Sequence, residues 1–382
     1  SRNQVILGSK LADALQRLRA NDAALTELDL GGHDIGDAGA AALAEVLHGN
    51  ARLTELDYEN IPFGRIFTDH MFIAEYKNGE WKNARIQPFG HIPMHPSSSV
   101  LHYGQGVFEG MKAFKDEQGN ARLFRPLKNW ERLNASAQRM AMPTIPEELF
   151  MDALTTLVRM DSNWIPDTEE GALYIRPFMF ANDEFVGIKP ADDFVFMIFC
   201  CPVSKYYQKP VRVTMSDEYV RAFRGGTGHV KAMGNYGAVM EPLRKARLDG
   251  YDQILWLDGY EFKRIQEIGT MNVFVVIDDK VLTPSLEEKA ILPGITRDSC
   301  ITLLRDNGYT VEERDITVDE IIAAASSGRL TDAFGTGTAA TVAPIGEIGY
   351  KGQHYMLPSI DNRPVSIWLK DEMRNIRKGH RP

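Results

Sequence analysis

Cysteine is scarce in this chain of 382 residues: Cys200, Cys201 and Cys300 are the only three, and no Cys-x-x-Cys pair exists. That spacing speaks against a disulfide framework and against a thiolate zinc site, so no metal is expected. It predicts reduced, buried thiols in a cytoplasmic protein. No apolar run reaches the roughly 20 residues a membrane span needs. The longest, 194–203, is rich in strand formers and reads as a buried strand. No basic-then-apolar leader opens the sequence. Positive charge is also in deficit, with 43 Lys and Arg against 52 Asp and Glu and a net charge of −9. This argues against partners such as nucleic acid or an anionic membrane surface.

The sharpest absence is local. Residues 1–57 contain no Phe, Trp, Tyr, Pro, Met or Cys, yet hold 11 Leu and 11 Ala. Leu25-Thr-Glu-Leu28-Asp-Leu30 recurs 28 residues later as Leu53-Thr-Glu-Leu56-Asp-Tyr58. The stretch from Ala38 to Leu47 reads as a helix with Leu43, Val46 and Leu47 on one face. Segment 1–58 thus resembles leucine-rich repeats of the ribonuclease-inhibitor class. Such repeats bury a core only by stacking, about three or more at a time. A cap, spacer or fused fragment is therefore favoured over a partner-binding module, though a protein partner for 1–58 is the rival reading.

The rest of the chain is richer in pattern. Strands are expected at 70–76, 173–180, 194–203, 211–215, 253–257, 272–277 and 309–314. Helices are expected at 129–140, 149–158, 236–248, 296–307 and 318–327. Mixed strands and helices in two blocks give an α/β (α+β) protein. The expected divisions are a small domain at 59–204, a connector at 205–212 and a large domain at 213–382.

Four stretches could carry chemistry. Residues 225–237 crowd glycines around Lys231, and a lysine desolvated there would attack a carbonyl. The spacing is not that of a phosphate loop. Residues 266–272 set Glu267 beside a Gly-Thr turn, where a solvated strand end is the commoner outcome. Residues 292–299 form a turn leading into a helix whose first amides suit an anion. Residues 334–340 make a second Gly/Thr turn.

Together these stretches resemble the branched-chain amino acid aminotransferases, pyridoxal-phosphate enzymes of fold type IV. The resemblance runs from about Asn60 to the C-terminus in one order. It also includes Phe63-Gly-Arg-Ile-Phe, His102-Tyr-Gly-Gln-Gly-Val-Phe-Glu-Gly-Met-Lys, Arg122-Leu-Phe-Arg-Pro and Tyr174-Ile-Arg176-Pro.

The resemblance implies a transaminase working on Leu, Ile and Val with 2-oxoglutarate, by a ping-pong cycle through a Schiff base on pyridoxal 5'-phosphate. Lys231 matches the catalytic lysine, which also moves the substrate proton. Tyr236 matches the tyrosine on the cofactor's phenolic oxygen, and Glu267 the acid at its ring nitrogen. Arg132, Ile295, Thr296 and Thr338 match the phosphate set, and Arg221 a further arginine near the phosphate. Tyr103, Arg176, Thr338 and Ala339 match the carboxylate-recognition set. Phe63, Phe108, Tyr174, Tyr206 and Thr270 match the side-chain pocket, and core packing is the competing role for Phe108. Val186 and Ile188 match residues that reach a neighbouring subunit, so a homodimer is implied. Ala340-Thr-Val-Ala343 stands where some relatives carry a redox Cys pair, which excludes thiol control there. Two other readings stand beside this one: a D-amino acid transaminase or lyase of the same fold, and an interaction protein built on the repeat segment.

Overall fold

The computed structural model describes residues 61–207 and 209–381. The repeat-like segment 1–58 lies outside the described residues. The chain divides into two compact units, with the boundary between Lys205 and Tyr206.

In the first unit the alternation from His70 onward becomes a strand, and Asn78-Gly79 turns it back. Both turn residues have positive φ, 55° and 82°, the geometry of a tight two-residue hairpin. The resulting strands are β1 (His70–Lys77) and β2 (Glu80–Pro88). Then come α1 (Ser99–Tyr103), β3 (Gly106–Phe108), β4 (Met111–Lys115), β5 (Ala121–Leu123), α2 (Pro126–Arg139), α3 (Glu147–Met160), β6 (Ala172–Ala181) and β7 (Phe194–Val203). They form an antiparallel sheet in the order β2-β1-β7-β6-β4-β5, with β3 on β6. The apolar run 194–203 is the interior strand β7, between β1 and β6. One sheet face is covered by α2 and α3, which contribute Leu133, Ala137, Phe150, Leu154 and Leu157 to a common core with Phe196 and Ile198.

The second unit contains β8 (Val211–Met215), α4 (Gly234–Gly237), α5 (Met240–Leu248), β9 (Gln253–Leu257), β10 (Ile265–Ile268), β11 (Met271–Ile277) and β12 (Lys280–Thr283). It continues with α6 (Ile295–Asp306), β13 (Val311–Glu313), α7 (Val318–Ser326), β14 (Leu330–Gly337), β15 (Thr341–Tyr350), β16 (Gln353–Met356) and α8 (Pro364–Lys378). The path β10-β9-β8-β15-β14-β11 closes on itself because β10 also pairs with β11. Closure removes the open edges of six strands and wraps them around one apolar core. Helix α7 opens on Thr317, whose hydroxyl accepts from the Glu320 amide at 3.1 Å.

Three expectations change. The helix expected at 236–248 starts earlier and splits into α4 and α5, with Ala238 and Val239 in a turn between them; the low helix propensity of Gly234 and Gly237 keeps α4 to a single turn. The strand expected at 309–314 shrinks to β13. Residues 334–337, expected as a Gly/Thr turn, continue β14, and the turn itself is 338–340. The three thiols are free and buried. Among the described residues, no helix is long and apolar enough to cross a membrane, and no cluster of His, Cys, Asp and Glu could hold a metal.

Candidate active site

Lys231 sits in the turn-rich segment before α4. Its Nζ donates to the Tyr236 hydroxyl at 3.2 Å. Asn235 holds that segment in shape: its Nδ2 donates to the carbonyls of Thr227 at 2.8 Å and Val230 at 3.0 Å. The Thr227 hydroxyl in turn donates to Asn235 Oδ1. Lys231 is thus carried on a loop tied across its base, a role for Asn235 that sequence reasoning does not assign.

Glu267, on β10, is only 4% exposed. A solvated strand end is therefore the wrong description. Its Oε2 accepts from the Leu292 amide at 3.0 Å, and its Oε1 lies 3.2 Å from Arg221 Nε. Burial pushes its carboxyl above the usual range, while Arg221, the Leu292 amide and Lys231 pull the other way. Arg221 also donates from Nη2 to the carbonyls of Gly228 and Ala290. Arg221, expected near a phosphate, therefore lies against Glu267 and braces the Lys231 loop through Gly228.

Sheet register lines up the rest. Glu267 pairs with Asn272 across β10 and β11, and Asn272 with Thr336 across β11 and β14. Asn272 Nδ2 donates to the Leu292 carbonyl at 2.9 Å. Its Oδ1 packs so closely on the start of α6 that a Cβ on Gly294 would lie 2.0 Å from it. Ile295 and Thr296 begin α6 directly after Gly294. Thr270 lies in the turn between β10 and β11, and its carbonyl packs against Gly337, beside Thr338 and Ala339. The Thr336 hydroxyl is buried without a hydrogen-bond partner among the described residues. Tyr206 packs edge-on against Tyr207, ring centroids 4.7 Å apart.

In the first unit, Phe63, Phe108, Tyr174 and Arg176 form a second group. Arg176 Nη2 donates to the Tyr174 hydroxyl at 2.9 Å. Its guanidinium lies 4.6 Å from the centre of the Phe108 ring. Phe63 meets Tyr174 edge-on at 5.1 Å. A Cβ on Gly110 would reach within 2.3 Å of the Tyr174 hydroxyl, so this group closes on bare backbone. Buried Arg176 Nε has no hydrogen-bond partner among the described residues. Phe108 thus stacks on a cation rather than serving only as core.

The remaining expected residues of this unit are not in direct contact with Arg176, but Arg132 joins the group through Glu109, whose Oε2 accepts from the Gly110 amide at 3.1 Å. Arg132 on α2 forms a two-point pair with fully buried Glu109, at 2.7 and 2.9 Å. Asn129 donates to the same carboxylate at 2.8 Å. Tyr103 is exposed at the end of α1, as are Val186 and, at 93%, Ile188 in the loop between β6 and β7.

The amino-transferase class IV family matches residues 106–348. The branched-chain-amino-acid transaminase 1 of Bacillus subtilis is 47% identical over 328 residues, covering 85% of this chain and 92% of that protein. The chain belongs to the branched-chain aminotransferases of class IV. A second Bacillus subtilis relative, a branched-chain-amino-acid aminotransferase 2, is 42% identical over 327 residues, covering 85% of this chain and 90% of its own. Among solved structures, the branched-chain aminotransferase of Thermoproteus uzoniensis with norvaline gives a TM-score of 0.64 at 28% identity, covering 81% of this chain and 95% of its own. The T.th. branched-chain amino acid aminotransferase complexed with N-(5'-phosphopyridoxyl)-L-glutamate gives 0.67 at 26% identity, covering 83% of this chain and 97% of its own.

Branched-chain aminotransferases depend on pyridoxal 5'-phosphate, and the residues here fit it. A lysine amine beside a phenol, a helix start on a glycine and an unpartnered buried threonine hydroxyl as donors, with a buried carboxylate as acceptor, are the groups an aromatic base bearing a phosphate requires.

Proposed function

We propose that this aminotransferase exchanges the amino group between L-leucine, L-isoleucine or L-valine and 2-oxoglutarate, in the two halves of a ping-pong cycle. The observation that carries the chemistry is the Lys231 amine held 3.2 Å from the Tyr236 hydroxyl, in a unit that buries Glu267 against Arg221.

When bound, pyridoxal phosphate supplies a ring that accepts the electron pair left at the substrate Cα. Lys231 Nζ takes the proton from that Cα as a free amine, and the Tyr236 hydroxyl keeps the amine aimed. Glu267 serves the ring nitrogen, with Arg221 as its counter-charge rather than as a phosphate ligand. The Ile295 and Thr296 amides, the Thr338 hydroxyl and Arg132 hold the phosphate.

Arg176, Tyr103 and the Ala339 backbone recognise the substrate carboxylate. Phe63, Phe108, Tyr174, Tyr206 and Thr270 line the side-chain pocket. Their rings suit an apolar side chain, and their hydroxyls can bond the second carboxylate of glutamate. We assign 59–204 to the small domain, 205–212 to the connector and 213–382 to the large domain. Exposed Val186 and Ile188 are assigned to a neighbouring subunit's site, which makes the working form a homodimer. The three buried thiols suit a reducing cytoplasm.

The test is spectroscopic and enzymatic. The protein with cofactor should absorb in the visible, transaminate L-leucine with 2-oxoglutarate and ignore D-alanine. Lys231→Ala should lose both the band and the activity. Turnover of D-alanine without L-leucine would replace this reading by a D-amino acid transaminase. A colourless, inactive parent protein would favour an interaction role instead.

A further inference from the structure

The phosphate residues proposed above have a charged support behind them. Arg377 lies in the last turn of α8 and is only 6% exposed. Its Nη2 donates to Thr296 Oγ1 at 3.3 Å, at the start of α6. Its Nη1 donates to Thr341 Oγ1. Thr341 opens β15 directly after the turn that holds Thr338 and Ala339, in the left-handed region at φ 60°. One guanidinium thereby ties the helix start to the hairpin turn.

The direction of these bonds matters. A guanidinium only donates, so both hydroxyls are forced to accept from it. Each hydroxyl has a single proton, which is then left to point away from the arginine. Thr296 is turned into an outward donor at a helix N-terminus, where an anion is already favoured. The arginine's charge adds to the same field. Burial lowers its pKa to about 10, with the Cys300 thiol pulling upward, so it stays charged at neutral pH.

We propose that Arg377 is a positioning residue for the cofactor's phosphate, setting the Thr296 hydroxyl as a donor and locking the 338–341 turn to the start of α6. This rests on the assignment of Thr296 and Thr338 to the phosphate.

Two ligands separate a phosphate-specific role from a structural one: pyridoxal 5'-phosphate and pyridoxal, which lacks the phosphate. Their dissociation constants are measured by absorbance titration of the apo forms of the parent, Arg377→Gln, Arg377→Lys and Thr296→Val. Arg377→Gln should weaken pyridoxal 5'-phosphate about 10- to 100-fold, the range for hydrogen bonds involving a charged group. Pyridoxal affinity should not change. Arg377→Lys keeps the charge but cannot span both threonines, so it should show an intermediate loss and stands in if Arg377→Gln does not fold. Adding Arg377→Gln to Thr296→Val should cost less than Arg377→Gln alone.

If Thr296→Val binds both ligands like the parent, the Thr296 hydroxyl does not serve the phosphate and the proposal for Arg377 fails, while the assignment of the backbone amides at 295 and 296 stands untouched. Parental binding in Thr338→Ala as well would overturn the hydroxyl part of the phosphate assignment itself. If Thr296→Val weakens only the phosphate ester while both Arg377 variants match the parent, the assignment stands and the role of Arg377 is refuted. Equal losses for both ligands in the Arg377 variants would mean general disruption and would also refute it.

Discussion

Replacing Arg221 with Met should strand Glu267. The two side chains are 8% and 6% exposed, with Arg221 Nε 3.2 Å from Glu267 Oε1. At an effective dielectric near 20, unit charges at that distance attract by about 5 kcal/mol. Desolvation offsets part of this in the intact pair. Removing one partner leaves that cost uncompensated, and buried pairs broken this way lose about 3–5 kcal/mol. The Leu292 amide at 3.0 Å still serves the carboxylate, which points to the lower end. The Glu267 carboxyl, already raised by burial, moves further up in the variant. A carboxyl whose pKa is raised on folding stabilises the fold below its unfolded value of roughly 4.3, and that contribution falls as pH rises. The gap between variant and parent should therefore widen from acid toward neutral pH. Urea denaturation of the two apo proteins across that range measures it. Catalysis should fall as well, because a neutral Glu267 no longer offers a negative charge. Adding Glu267→Gln to the variant should recover about 2 kcal/mol of stability, since no stranded carboxylate remains. Parental stability at every pH, or strictly additive losses in the double variant, would refute the pairing.

Other expectations rest on single contacts. His70 Nδ1 lies 2.7 Å from the buried Asp161 carboxylate. Burial pushes the His70 pKa down, but the hydrogen bond and charge of Asp161 outweigh this and raise it. The pair's contribution is full below about pH 6.5 and is lost as pH rises through the raised value, so His70→Gln should flatten the fall in stability above that point. Glu109→Ala takes the buried carboxylate from Arg132 and should cost about 3–5 kcal/mol in urea denaturation; a loss below about 1 kcal/mol would contradict the two-point pair. Gly294→Ala forces a Cβ toward Asn272 Oδ1 and should destabilise by about 1–3 kcal/mol while weakening cofactor binding. Gly90→Ala, where a Cβ meets nothing within 4 Å, is the matched control and should change neither.

Much of the fold is legible where local physics suffices. Strands rich in branched and aromatic residues, such as β1, β7 and β9, lie close to their expected bounds, because the same residues favour extended backbone and need burial. Helices α2, α3, α6 and α7 follow from apolar spacing. Hairpin partners escape notice: β2 is polar enough to read as loop, and its signal is the Asn78-Gly79 turn rather than its own composition. Strand β16 and its Lys351-Gly352 turn escape for the same reason.

Order and spacing along the chain single out candidate residues, because each motif is a short run whose turn glycines, hydroxyls and charges sit together in sequence. Only the tertiary structure decides which of those charges leave water and what they meet there. The β10–β11 hairpin is local, but Glu267 leaves water only because β11 pairs with β14 and β8 with β15 to complete the barrel, pairings that no local run announces. Arg221 meets Glu267 across 46 residues of chain, and Arg377 meets Thr296 across 81. Such contacts depend on where long-range strand pairing and helix packing bring the backbone, so sequence spacing supplies the groups and packing alone determines their partners.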